Sequence, residues 1–127
     1  MLEDRVRAHW LVGQVLVVGD QQPFIGALVT IDPESLPVWL EQNGRAADTP
    51  VADLVDDPAL LAEIQSAVDE ANKAVSKAES IRKFTILGTD WTEAGGQITP
   101  SLKLKRGVVM KENAEQIDAL YSGSKRG

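Results

Sequence analysis

Four cations, Lys103, Lys105, Arg106 and Lys111, fall close together near the C-terminal end of a 127-residue chain whose formal net charge is -6. They follow a glycine turn, Glu93-Ala94-Gly95-Gly96-Gln97, in the segment Gly96-Gln97-Ile98-Thr99-Pro100-Ser101-Leu102-Lys103-Leu104-Lys105-Arg106. Residues 48–70, by contrast, hold seven acids and no base. An acidic body carrying one basic tongue suits a small anionic ligand or a local docking surface. It does not suit nonspecific nucleic-acid binding, which depends on neutralising many phosphates with Lys and Arg.

Other chemistry is sparse. With no cysteine there is no disulfide framework, thiolate metal site or thiol nucleophile. The phosphate-binding Gly-x-x-x-x-Gly-Lys-Ser/Thr loop, the Gly-x-Gly-x-x-Gly fingerprint and the Gly-x-Ser-x-Gly elbow are all missing. His9 is the only histidine and has no ligand partner nearby in sequence, so a structural or surface role is expected. Asp56-Asp57 could be read as a carboxylate pair, but Asp57 before Pro58 is better explained as a helix cap. Glu63 and its acidic neighbours fit a helix N-terminus or a solvated face. Trp10, Trp39 and Trp91 are expected as core or rim aromatics.

The elements that must position the basic segment can be read from periodicity. Leu2 and Val6 make the end of an amphipathic helix that starts abruptly, as a piece of a longer chain would. Val15-Leu16-Val17-Val18-Gly19 is a buried strand, Asp20-Gln21-Gln22-Pro23 a turn, and Phe24 to Ile31 the returning strand of an antiparallel hairpin. Asp32-Pro33 opens a helix, although Pro37 allows a later start. Asp57-Pro58 opens the longest one, with Leu61, Ile64, Val68, Ala71 and Val75 as its buried stripe. Phe84-Thr85-Ile86-Leu87 is the next strand. The glycine turn joins two short strands, and the stretch from Gly107 to Tyr121 is one terminal amphipathic helix before a frayed tail at 122–127. The expected architecture is α+β: one domain over 1–127, with a small antiparallel sheet packed by about three helices. No apolar run is long enough for a transmembrane segment, and the N-terminus has no signal-peptide character.

The segment ending in Lys103-Leu104-Lys105-Arg106 resembles the C-terminal lysine motif of the AMP-forming acyl-CoA synthetases, in particular the long-chain fatty acid–CoA ligase branch. The resemblance extends to Leu2-Glu3-x-x-Val6, to Val15-Leu16-Val17-Val18-Gly19-Asp20-x-x-Pro23 with its return Phe24-Ile25-Gly26-Ala27-Leu28-Val29, to Val68-x-x-Ala71-Asn72, to Ile81-Arg82-Lys83-Phe84-x-Ile86-Leu87, and to Ile117-x-x-Leu120-Tyr121. It breaks mainly at residues 44–58. Ser101-Leu102-Lys103 departs from the commoner Ser-Gly-Lys, a change that the long-chain branch tolerates.

The resemblance implies the mobile, lysine-bearing C-terminal domain of such a ligase, with the N-terminal adenylation domain absent from this chain. Lys103 is then the catalytic residue, contacting the acyl carboxylate and the α-phosphate side of ATP as acyl-AMP forms. Lys105 and Arg106 are read as helix-start solvation or domain docking. ATP, coenzyme A and Mg2+ would serve the parent enzyme, with none bound to this domain alone. The partner is the adenylation domain of the same polypeptide, which also brings the fatty acid. The location is cytoplasmic or peripheral to a membrane through the parent enzyme. Two rivals stand beside this reading: a stand-alone α+β interaction module with a basic docking loop, and the corresponding domain of a ligase for another carboxylic acid. Lys103 is expected to be exposed and unpaired, on a loop with few apolar anchors.

Overall fold

The computed structural model describes residues 2–19, 22–101 and 103–122. Asp20 and Gln21 of the first turn, Leu102 of the basic segment and the tail at 123–127 lie outside the described residues. Helix α1 (Leu2–Arg7) leads into strand β1 (Val12–Val18), which pairs antiparallel with β2 (Ile25–Ile31), as the alternating runs predict. Helices α2 (Leu36–Gln42) and α3 (Pro58–Asn72) then cross back before β3 (Ile81–Ile86). Helices α4 (Arg106–Glu112) and α5 (Ala114–Ser122) close the chain.

The α+β class holds, but the sheet is mixed rather than all antiparallel. β3 runs parallel to β2, with Ala27 opposite Phe84 and Val29 opposite Ile86, in the order β1-β2-β3. A strand that returns parallel needs a long crossover, and α2 with α3 supplies it. The described residues also form five α-helices rather than about three. Part of the difference is at the end of the chain. The single terminal helix expected from Gly107 is broken at Asn113, whose side-chain amide donates to the Val109 carbonyl at 2.9 Å while its own backbone leaves the helical region.

The sheet is covered on both sides, which is why β1 and β2 read as nearly continuous apolar runs. On one side, Val15, Ala27, Val29, Ile31 and Ile86 meet Val6 of α1, Trp39 and Leu40 of α2, and Leu60, Ile64, Val68 and Ala71 of α3. Asp57 caps α3 as expected, accepting from the Ala59 amide at 2.9 Å, and also pairs with Arg45 at 2.6 Å. Ile64, Val68 and Ala71 are buried as expected, and the stripe differs from the sequence reading only at its two ends. Leu60 is buried where Leu61 was expected, and Val75 lies beyond the helix end. Two registers fit an Ala-Leu-Leu-Ala run, and the packing selects one. Helix α2 takes the later of its possible starts: Asp32 Oδ2 accepts from the Ser35 hydroxyl at 2.7 Å, and the helix begins at Leu36.

On the other side, Leu16, Val18 and Leu28 meet Val109 of α4, Leu120 and Tyr121 of α5, and Trp91 and Ile98 of the segment between. The approach of α5 is close. A Cβ on Gly26 would sit 3.1 Å from Leu120 Cδ1, so β2 keeps a glycine there. The Tyr121 hydroxyl donates to the Phe24 and Val18 carbonyls at 3.0 and 3.2 Å.

Burial pushes the Tyr121 phenol above its usual value, partly countered by a hydrogen bond with the Gly26 backbone. Tyr121→Phe should cost about 1–2 kcal/mol of unfolding free energy near neutral pH, because buried carbonyls lose a donor. The sign of the pH dependence follows from the raised pKa. Below about pH 10 the phenol is neutral in both states, and above it the unfolded chain ionises first, so this contribution falls as pH rises. Urea titrations of both proteins at pH 7, 9 and 11 should therefore show a stability gap that narrows at the alkaline end. A gap independent of pH would contradict the assignment.

Candidate functional site

The basic segment hangs from the second core cluster. After β3, the Leu87 amide donates to the Val29 carbonyl at 2.9 Å, which holds the exit against β2. Asp90 is fixed next. Its Oδ1 accepts from the Thr30 hydroxyl at 2.7 Å and from the Trp91 amide at 2.9 Å, while Thr30 Oγ1 accepts from the Gln14 amide at 2.8 Å. Thr30 is fully buried, so this chain of bonds satisfies a polar group inside the sheet and locks the departure of the segment. Trp91 then inserts into the core.

The glycine turn is present, although it does not join two ladder-forming strands. Gly96 sits at φ +83, a conformation that L side chains rarely adopt, and leaves its amide on the Glu93 carbonyl at 3.0 Å. Gln97 braces the turn, accepting from the Thr92 amide at 3.0 Å and donating to Glu112 of α4 at 3.1 Å. Beyond it, among the described residues, an isolated bridge links Ile98 to Leu104. Thr99 clasps Lys103 in both directions. The Thr99 amide donates to the Lys103 carbonyl at 2.8 Å, and the Lys103 amide donates to Thr99 Oγ1 at 3.0 Å. The Lys105 amide closes the loop on the Gln97 carbonyl at 2.7 Å. The backbone around Lys103 thus has more anchors than the few expected, because Trp91 and Ile98 are buried and Thr99 acts as a clasp.

The side chain of Lys103 is exposed, and its ammonium pairs with no described residue. It stands at the rim of a hollow of about 320 Å3 bordered by Glu3, Asp4, Arg7 and Arg106. Charges within that hollow are already matched: Arg7 holds Asp4 at 2.7 Å, and Arg106 holds Glu3. Arg106 also donates to the Val17 carbonyl at 2.8 Å, and Glu3 accepts from the Val17 amide at 2.8 Å. The basic cluster therefore divides by chemistry. Arg106 is committed to its own fold, whereas Lys103 is an anchored backbone with a free cation.

The other side chains singled out in the sequence do not join this site. His9 Nδ1 accepts from the Leu11 amide at 3.1 Å, which places the ring proton on Nε2, 2.9 Å from Glu63. The pair ties the turn after α1 to α3, so both residues are structural. Trp39 and Trp91 are buried, and Trp10 is an exposed rim residue stacked on His9. Asp57 is the cap of α3, which leaves no carboxylate pair. Among the described residues no group of three or more His, Cys, Asp or Glu could hold a metal ion. No helix among the described residues is long and apolar enough to cross a membrane. The sequence reading missed Glu3 and Arg106 as partners, since no local pattern connects residues 103 positions apart.

The chain as a whole, with its three-stranded sheet packed on both sides, matches a described family. The model of the AMP-binding enzyme C-terminal domain covers residues 1–125. The chain belongs to that family. Within it, the chain is 54% identical over 122 residues to the long-chain-fatty-acid–CoA ligase FadD15 of Mycobacterium tuberculosis, covering 96% of this chain and 20% of that protein. It is 33% identical over 138 residues to the long-chain-fatty-acid–CoA ligase ACSBG2 of Gallus gallus, covering 95% of this chain and 18% of the relative. Among solved structures it resembles the adenylation domain of a carboxylate reductase from Mycobacterium chelonae, with a TM-score of 0.70, 25% identity, 95% of this chain covered and 17% of the other. The chain spans about a fifth of the length of the curated relatives it matches.

Proposed function

We propose that this domain serves a long-chain fatty acid–CoA ligase, supplying Lys103 for the activation of a fatty acid with ATP to acyl-AMP, which coenzyme A then converts to the thioester. The observation that carries the proposal is the free ammonium of Lys103 on a backbone clasped by Thr99. A carboxylate must be brought against a triphosphate in adenylation, and a positioned cation reaching both stabilises the charge of the transition state. The phosphate loop, acyl tunnel and metal ligands are supplied by an adenylation region of the same polypeptide, in keeping with the small share of each relative that this domain matches. Exposure suits a group that acts in one half of a cycle and withdraws in the other.

A polypeptide carrying both regions should release pyrophosphate from ATP when given a long-chain fatty acid, and the 127-residue chain alone should release none. Turnover by the isolated chain, or a longer protein stimulated only by carboxylic acids other than fatty acids, would overturn the proposal. The second outcome would assign the domain to a ligase for another acid.

A further inference from the structure

We infer that Arg106 and Glu3 are positioning residues for Lys103: their ion pair fastens the lysine loop to the outer edge of β1 and to α1. The inference rests on the adenylation role proposed for Lys103.

Strand β1 is an edge strand, paired with β2 on one side only. An edge residue leaves its outward amide and carbonyl without ladder partners. At Val17 both are occupied by the two side chains, the carboxylate of Glu3 taking the amide and the guanidinium of Arg106 giving to the carbonyl. Arg106 and Glu3 are bonded to each other as well. Three segments distant in sequence thereby meet at one residue of the sheet.

The location of Arg106 is otherwise unfavourable. It is the first residue of α4, where the helix dipole disfavours a cation, and the Lys105 cap makes no side-chain bond that offsets this. Both side chains are partly open to solvent, at 49% for Arg106 and 28% for Glu3, so the pair adds little as a surface salt bridge. What the arrangement supplies is geometry. Arg106 lies three residues after Lys103, and Thr99 holds the same stretch from the other side. Lys103 is thus spanned between two fixed points, and a misplacement of the reacting group by about 1 Å can cost about 100-fold in rate.

The test uses the full-length ligase and follows the two half-reactions separately in Arg106→Gln, Glu3→Gln, the double variant and Lys103→Ala. Arg106→Gln should lower kcat for adenylation by roughly 10- to 100-fold, with KM for ATP and the rate of thioester formation from supplied acyl-adenylate within about twofold of the parent. Arg106→Lys, which keeps the cation but not the forked donor set, should recover part of the loss. The double variant should be no slower than Arg106→Gln alone, because the two side chains act as one unit. Equal losses in both half-reactions would make the pair merely structural and overturn the inference, as would an unchanged adenylation rate in Arg106→Gln. If Lys103→Ala abolishes adenylation while Arg106→Gln spares it, this inference alone fails. If Lys103→Ala itself spares adenylation, the proposed function fails, and this inference with it.

Discussion

Ile64→Ala should cost about 2–5 kcal/mol of unfolding free energy, a large part of the 5–15 kcal/mol typical of a domain. Ile64 is fully buried in the middle of α3, among residues that fill the space between that helix and the sheet. Removing its branched side chain discards apolar contacts and leaves a cavity that a helix held at both ends cannot collapse into. The N-terminal end is held by the Asp57 cap, and the C-terminal end by Asn72, which bonds both the amide and the carbonyl of Ile81 on β3. Urea unfolding of the 127-residue chain gives the value directly. A loss below about 1 kcal/mol, the size expected at a surface site, would mean that this face is not packed as described. The neighbouring leucines provide a sharper contrast. Leu60→Ala should be severe and Leu61→Ala mild, since Leu60 is buried and Leu61 only half-buried; the reverse order would restore Leu61 to the buried stripe.

That contrast indicates where the sequence is informative. Asp57-Pro58 names the start of α3 because the cap and the proline are local chemistry, satisfied within two residues. The β1–β2 hairpin is legible for the same reason, with adjacent apolar runs separated by a turn. The direction of β3 is not legible. Ile81–Ile86 has the pattern of a strand in either orientation, and only the packing of the crossover decides that it lies parallel to β2. The break at Asn113 depends on one side-chain amide turning back to Val109, a competition with helix geometry that an apolar repeat does not register.

For the candidate site, the exposure of Lys103 is legible through the polar residues around it. Its support is not. Thr30 with Asp90 and Glu3 with Arg106 bridge 60 and 103 positions, so each appears in the sequence as an ordinary polar residue. These long-range bonds make a defined platform of a loop that its glycines alone would suggest is loose.

Lys103→Ala should slow adenylation in the full-length ligase by about 100- to 1,000-fold, the usual cost of removing one preorganised group that stabilises transition-state charge. Its own fold should barely change, because the ammonium makes no bond to a described residue and the clasp to Thr99 is backbone on the lysine side. The loss should also be confined to one half of the cycle. Thioester formation begins from an acyl-adenylate whose pyrophosphate has already left, so the anionic repulsion that Lys103 is proposed to relieve is gone. The most direct test of the adenylation role is to measure both half-reactions of Lys103→Ala on one preparation. Acyl-adenylate formation would be followed by fatty-acid-dependent pyrophosphate release, and thioester formation by the reaction of supplied acyl-adenylate with coenzyme A. The expected result is a collapse of the first with the second within about threefold of the parent, since an interaction made only in one transition state affects only that step; equal loss in both, or no loss in the first, would contradict it.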